Sequence, residues 1–142
     1  MISKLLIAWV LMALCVSIHA VGLTAAARFL QRNSKRGADF WSATWMLISA
    51  AGWMLFLHTV QIAVWAFFYA SGHGMPDLAS AFYFSAVTYT TTGYGDLVLE
   101  PEWRFVGGVE ALTGILMCGL STGFFFAIFT RIFGFYSEKK DE

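Results

Sequence analysis

Three apolar runs decide what this chain can become. Leu5 to Ala27 and Trp41 to Ala70 carry no charged residue, and Phe105 to Thr130 carries one, Glu110. As helices the first two extend roughly 34 and 45 Å, enough to cross a bilayer core of about 30 Å. The second must tilt or run past the lipid. The rest of the composition agrees. Of 142 residues, 58% are hydrophobic and only 13% charged, too few charges to cover a water-facing surface. Fourteen phenylalanines argue against disorder. These observations exclude a soluble enzyme, a nucleic-acid binder and a linker protein, and no soluble partner can be identified. The expectation is an all-α integral membrane protein built as a single unit.

Charge placement sets the orientation. Arg28, Arg32, Lys35 and Arg36 crowd one loop against Asp39, and Arg131, Lys139 and Lys140 follow the third run. The connection from Ser71 to Arg104 is acidic, with Asp77, Asp96, Glu100 and Glu102. Basic loops stay in the cytoplasm. The expected topology is multi-pass in the cell (inner) membrane, with the N-terminus outside and the basic loop and C-terminus inside. A cleaved leader is the rival for the first run, but Ile18 in Ser17-Ile18-His19-Ala20 fits a cleavage site poorly. Trp41, Trp45, Trp65, Tyr69 and Trp103 lie near segment ends, where interfacial rings are expected. Cys15 and Cys118 sit in apolar runs and read as buried free thiols, with no disulfide framework or metal site.

A fourth apolar stretch, Leu78 to Thr90, is too short to span and suits a re-entrant helix. Pro76 and Asp77 suit its start. Thr90-Thr91-Thr92-Gly93-Tyr94-Gly95-Asp96 follows directly. In a soluble protein this would read as a strand and turn. Between a half-length helix and a full span, non-helical backbone needs partners that lipid does not supply. A dehydrated cation is a fitting partner. Carbonyls of residues 91–95 and the Thr91 hydroxyl offer stacked oxygen rings, and Gly93 and Gly95 reach the unusual backbone angles that such stacking requires. One chain gives one arc of each ring, so several copies are needed. The short helix turns its partly negative C-terminal end toward the same axis.

Thr91-Thr92-Gly93-Tyr94-Gly95-Asp96 resembles the selectivity-filter signature of potassium channels, with Thr92 where valine is commonest. Ala81 to Thr90 resembles the pore helix of that family, and the resemblance continues through Trp103-Arg104 into a glycine-bearing inner helix. The chain looks most like small prokaryotic ion channels of the two-transmembrane pore type, carrying an additional N-terminal span. The resemblance implies a homotetramer in the bilayer, potassium as the permeant ion bound at Thr91, Thr92, Gly93, Tyr94 and Gly95, and no cofactor. It implies three units: residues 1–40 as N-terminal helix and basic loop, 41–136 as pore domain, and 137–142 as a short cytoplasmic tail. Val87 stands where some members place a glutamate behind the filter. Asp96 then has Tyr83, at a position where relatives often use tryptophan, as a candidate donor and outer-mouth partner.

Other residues stay open between two readings. Gly114 is a hinge or a packing glycine; Gly119 and Gly123 read as close packing. Glu110 is costly inside a span and needs partners, for which His58, Gln61 and His19 are candidates. That set is a packing network or a proton-sensitive site. Phe124, Phe125, Phe126, Phe129, Phe133 and Phe135 face lipid, or a ring at Phe129 or Phe133 narrows the inner pore. No arginine ladder suggests voltage sensing, and no nucleophile–base set suggests catalysis. The competing functions are a potassium-selective channel, a weakly selective cation channel, and a non-conducting membrane subunit with a pore-like fold.

Overall fold

The computed structural model describes residues 2–33 and 40–138, with side chains described over 2–32 and 40–130. Lys35, Arg36, Asp39, Lys139 and Lys140, and the side chains of Arg131, Phe133 and Phe135, lie outside the described residues. The fold is all-helical: α1 (Ile2–Asn33), α2 (Phe40–Ala70), α3 (Leu78–Tyr89) and α4 (Arg104–Glu138), with no strand among the described residues. Three helices are long and apolar enough to span a membrane, over Ile2–Arg32, Phe40–Ala70 and Arg104–Thr130. The protein is therefore membrane-embedded and multi-pass. α3 is the short fourth helix.

In lipid, helices associate through packing and polar contacts more than through hydrophobic burial. α2 and α4 run antiparallel. Their bonded residues shift by eleven on each: Tyr69 reaches Glu110, and His58 reaches Ser121. α1 runs parallel to α4, with Lys4 bonded to Glu102 and His19 to Ser121. α3 packs against α2 and α4.

One core gathers Ala8 and Cys15 from α1, Trp65, Ala66 and Tyr69 from α2, Phe84 and Tyr89 from α3, and Val106 and Met117 from α4. Trp65 and Tyr69, expected as interfacial rings, are fully buried in this core. Trp41 and Trp45 are exposed. A second, smaller cluster of Ala43, Ala50 and Ile128 takes in Phe124 and Phe125, while Phe126 and Phe129 stay exposed on the single chain. Cys15 is buried, but Cys118 is exposed on the single chain, so only one of the two thiols is enclosed. Gly119 and Gly123 meet nothing within 4 Å, so within one chain they close no helix contact.

Candidate functional site

α3 begins on Asp77, whose carboxylate accepts the Ser80 amide at 2.9 Å and the Ser80 hydroxyl at 2.8 Å. Pro76 stays outside the helix and Asp77 is its cap. At the other end the backbone folds back on its last turn. The Thr91 amide donates to Thr88 O at 2.9 Å, and those of Thr92 and Gly93 both donate to Val87 O, at 2.9 and 3.2 Å. The chain then alternates in hand. Thr91, Gly93 and Gly95 have φ of 58, 56 and 77°, while Thr92 and Tyr94 do not enter the positive region. An alternating backbone of this kind collects successive amides on one side, which leaves carbonyls for the other. Thr91 is β-branched, and holding it there costs about 1–3 kcal/mol. Residues 90–98 are all exposed on the single chain.

The Thr92 hydroxyl lies 2.9 Å from that of Thr90, which donates to Ala86 O at 2.7 Å. The group by which Thr92 differs from valine is thus partnered against the pore helix. Beyond Gly95, Tyr83 donates to Asp96 at 2.6 Å, and Asp96 also accepts the Leu97 amide at 3.0 Å. The Tyr83 bond holds the Asp96 carboxyl below the usual carboxylate range.

Two polar clusters stand behind this segment. Glu110, fully buried, accepts Tyr69 Oη at 2.8 Å and Ser85 Oγ at 2.5 Å. Ser85 also faces Ile62 O at 2.9 Å. Glu110 therefore does not bond His58, Gln61 or His19. The offset between α2 and α4 brings Tyr69 to its level instead.

Those three residues form a separate ring with Tyr89 and Ser121, and the donors run one way around it. Gln61 Nε2 donates to Leu57 O at 3.2 Å and to His19 Nδ1 at 2.9 Å. His19 then offers Nε2–H to Ser121 Oγ at 3.1 Å, and Ser121 donates to His58 Nε2 at 3.0 Å. His58 Nδ1–H reaches Tyr89 Oη at 3.0 Å, and Tyr89 closes the ring on Gln61 Oε1 at 2.8 Å. All four helices contribute, and Tyr89 is the last residue of α3. Gly114 lies against the other side of Tyr89: a Cβ there would fall on the Tyr89 carbonyl oxygen. As placed, Gly114 packs directly against the Tyr89 backbone.

Residues 53–131, more than half of the chain, match the ion channel family. The chain belongs to that family. The chain is 35% identical over 92 residues to the potassium voltage-gated channel protein Shal of Drosophila melanogaster, covering 60% of this chain and 16% of the relative. It is 32% identical over 92 residues to the A-type voltage-gated potassium channel KCND3 of Rattus norvegicus and of Homo sapiens, covering 60% of this chain and 14% of each relative. The chain thus spans about one seventh of the length of these curated relatives. No solved structure matches it. All of α1 and residues 40–52 of α2 precede the matched family residues, yet α1 supplies His19 to the buried ring.

Several supporting residues carried no sequence signal. Leu99 is buried beside Gly74 and Gly107, and its carbonyl accepts Arg104 Nε at 3.2 Å, anchoring the return from Asp96 to α4. A leucine in a loop announces nothing. Ser85, Tyr69, Tyr89 and Ser121 are ordinary residues of helices until the helix faces are known.

Proposed function

We propose that four copies of this chain assemble around a central axis as a potassium-selective channel. Residues Thr91, Thr92, Gly93, Tyr94 and Gly95 form its ion path. A potassium ion gives up hydration water only where oxygens replace it, and rings of backbone carbonyls do this in filters of the kind the sequence resembles. The observation that carries the reading is the alternation at 91, 93 and 95 on amides already tied to Val87 and Thr88. The C-terminal end of α3 adds a partial negative charge facing the entering ion. Asp96, ionised through its bond from Tyr83, adds charge at the outer mouth. The membrane is the cell membrane, with the acidic 71–104 connection outside.

The test is ion flux into liposomes holding the purified full chain, with sodium substituted for potassium. Gly93→Ala is the control, since a side chain at φ of 56° costs roughly 1–2 kcal/mol in every subunit. Potassium-selective flux abolished by Gly93→Ala supports the proposal. Equal passage of sodium points to the weakly selective channel. No flux across the tested pH range would count against conduction altogether.

A further inference from the structure

The five-membered ring has a property that follows from counting hydrogens. Gln61 is fixed in orientation, because turning its amide would set Oε1 against Leu57 O. His19 Nδ1 must then accept, and Tyr89 must donate to Gln61 Oε1. From there every group has one assignment. His19 carries its hydrogen on Nε2 and His58 carries its own on Nδ1. The two rings are 5.2 Å apart between centroids, joined through the single hydroxyl of Ser121. Every donor inside the ring meets one acceptor, with both histidines neutral.

A further proton breaks this one-to-one assignment. On His58 it puts an N–H on Nε2, which the Ser121 oxygen accepts through its second lone pair, but the Ser121 hydrogen then loses its acceptor. On His19 it puts an N–H on Nδ1, directly against the Gln61 amide N–H. The first event strands a buried hydroxyl hydrogen, and the second opens the ring at a bond between helices. The titratable neighbours do not offset this. On α1 the next is Cys15, on α2 Tyr69, on α3 Tyr89 itself, and on α4 Cys118 and Glu110. Glu110 is engaged by Tyr69 and Ser85.

We propose that the His19–Ser121–His58–Tyr89–Gln61 ring is a proton-sensitive clamp on the end of the pore helix. Intact, it positions Tyr89, and with it Thr90 and the ion path; opened by acid, it releases them. His19, His58, Gln61 and Ser121 are thus positioning residues that act through Tyr89. The clamp also gives α1 a task, since His19 is linked to Tyr89 through Gln61 on one side and through Ser121 and His58 on the other. The effect on flux rests on the channel reading, whereas the hydrogen positions do not.

Two measurements test it on the full chain in liposomes. Nitrogen-15 NMR of the histidines at about pH 7.5 is expected to show two neutral side chains in opposite tautomers, Nε2–H for His19 and Nδ1–H for His58. Potassium flux is expected to fall roughly tenfold as pH is lowered from about 7.5 to about 5, the range in which histidine titrates. Combined His19→Gln and His58→Gln replaces each imidazole by a donor–acceptor group that gains no proton, and is expected to flatten that profile. Tyr89→Phe, which leaves the ring open at every pH, serves as the second variant and is likewise expected to lose the acid step. Matching tautomers, or a charged histidine at about pH 7.5, would overturn the clamp. So would a flat wild-type profile, or an acid step kept by both variants. Absent flux at about pH 7.5 would count against the channel reading, and the tautomers would still decide the clamp.

Discussion

Two buried polar clusters brace the same pore helix on opposite plans. They lie eleven residues apart on α2, from 58 to 69, and on α4, from 110 to 121. That is about 16 Å along a helix. The cluster at Glu110 is open. Two hydroxyls, of Tyr69 and Ser85, face three acceptors: two carboxylate oxygens and Ile62 O. The ring at Tyr89 is closed, with five groups and as many donors as acceptors. On the clamp proposal, the neutral ring rather than the buried acid is the cluster that acid opens.

The largest effect is expected between the clusters. Gly114 lies one turn beyond Glu110 on α4, under the Tyr89 carbonyl. Gly114→Ala places a methyl on backbone that cannot move aside without shifting the pore helix. The expected loss is about 3 kcal/mol, the upper end of overpacking costs, read as a lowered thermal midpoint together with lost flux. Gly52→Ala, where nothing lies within 4 Å, is expected to be close to neutral. A tolerated Gly114→Ala with altered opening would restore the hinge reading.

Next come the groups that hold each cluster. Glu110→Leu strands the Tyr69 hydroxyl and is expected to cost about 1–3 kcal/mol. Glu110→Gln, which still accepts from Tyr69, is expected to cost much less. Ser121→Ala strands an imidazole nitrogen on each histidine, at about 1–3 kcal/mol. The comparison is sharpened by acid: the Glu110 variants should keep the acid step in flux and Ser121→Ala should lose it. If Glu110→Gln removes that step, the sensitive site is the open cluster.

Acid also reaches Asp96, with a separable signature. Tyr83 holds the Asp96 carboxyl below the usual carboxylate range. The benefit of this bond is full at neutral pH and is lost as pH falls through the depressed value. Tyr83→Phe returns Asp96 toward the usual range. Flux in Tyr83→Phe is expected to show its low-pH loss at a higher pH than wild type, while the histidine-dependent step nearer neutrality stays in place. A flux titration that resolves both steps checks this.

The sequence was legible wherever one element sufficed. Three long apolar runs, with Glu110 as their one charged residue, and a thirteen-residue apolar stretch became three spanning helices and α3, because length and charge alone decide what lipid accepts. The left-handed backbone at Gly93 and Gly95 was legible because glycine announces it, whereas that of Thr91 was not. Partnerships between helices were not legible. Glu110 needed a partner on α2, and spacing favoured His58 and Gln61 because both are polar. The actual partner, Tyr69, looked like an interfacial aromatic. What chose it was the offset between α2 and α4, which the 71–103 connection sets through Leu99, Gly74 and Gly107. His19 belongs to the ring for the same reason: a parallel α1–α4 register places it beside Ser121.

The smallest expected effect tests how α1 is held. Besides the ring, α1 has a second tie at the start of α4. Lys4 pairs with Glu102 at 2.7 Å and lies 4.1 Å from the centre of the Trp103 ring, which itself packs against Phe68 and His73. Glu102 is 63% exposed, so water competes for its half of the pair. Such a pair contributes about 0.2–1 kcal/mol, and salt weakens it further. Lys4→Ala is accordingly expected to shift the thermal midpoint little and to leave the acid step in flux unchanged. The same shift should shrink toward zero at high salt. His19→Ala removes one member of a buried ring and is expected to cost several times more, with no salt dependence. If Lys4→Ala proves the costlier of the two, α1 is fastened from outside, and the ring is a passenger in the fold.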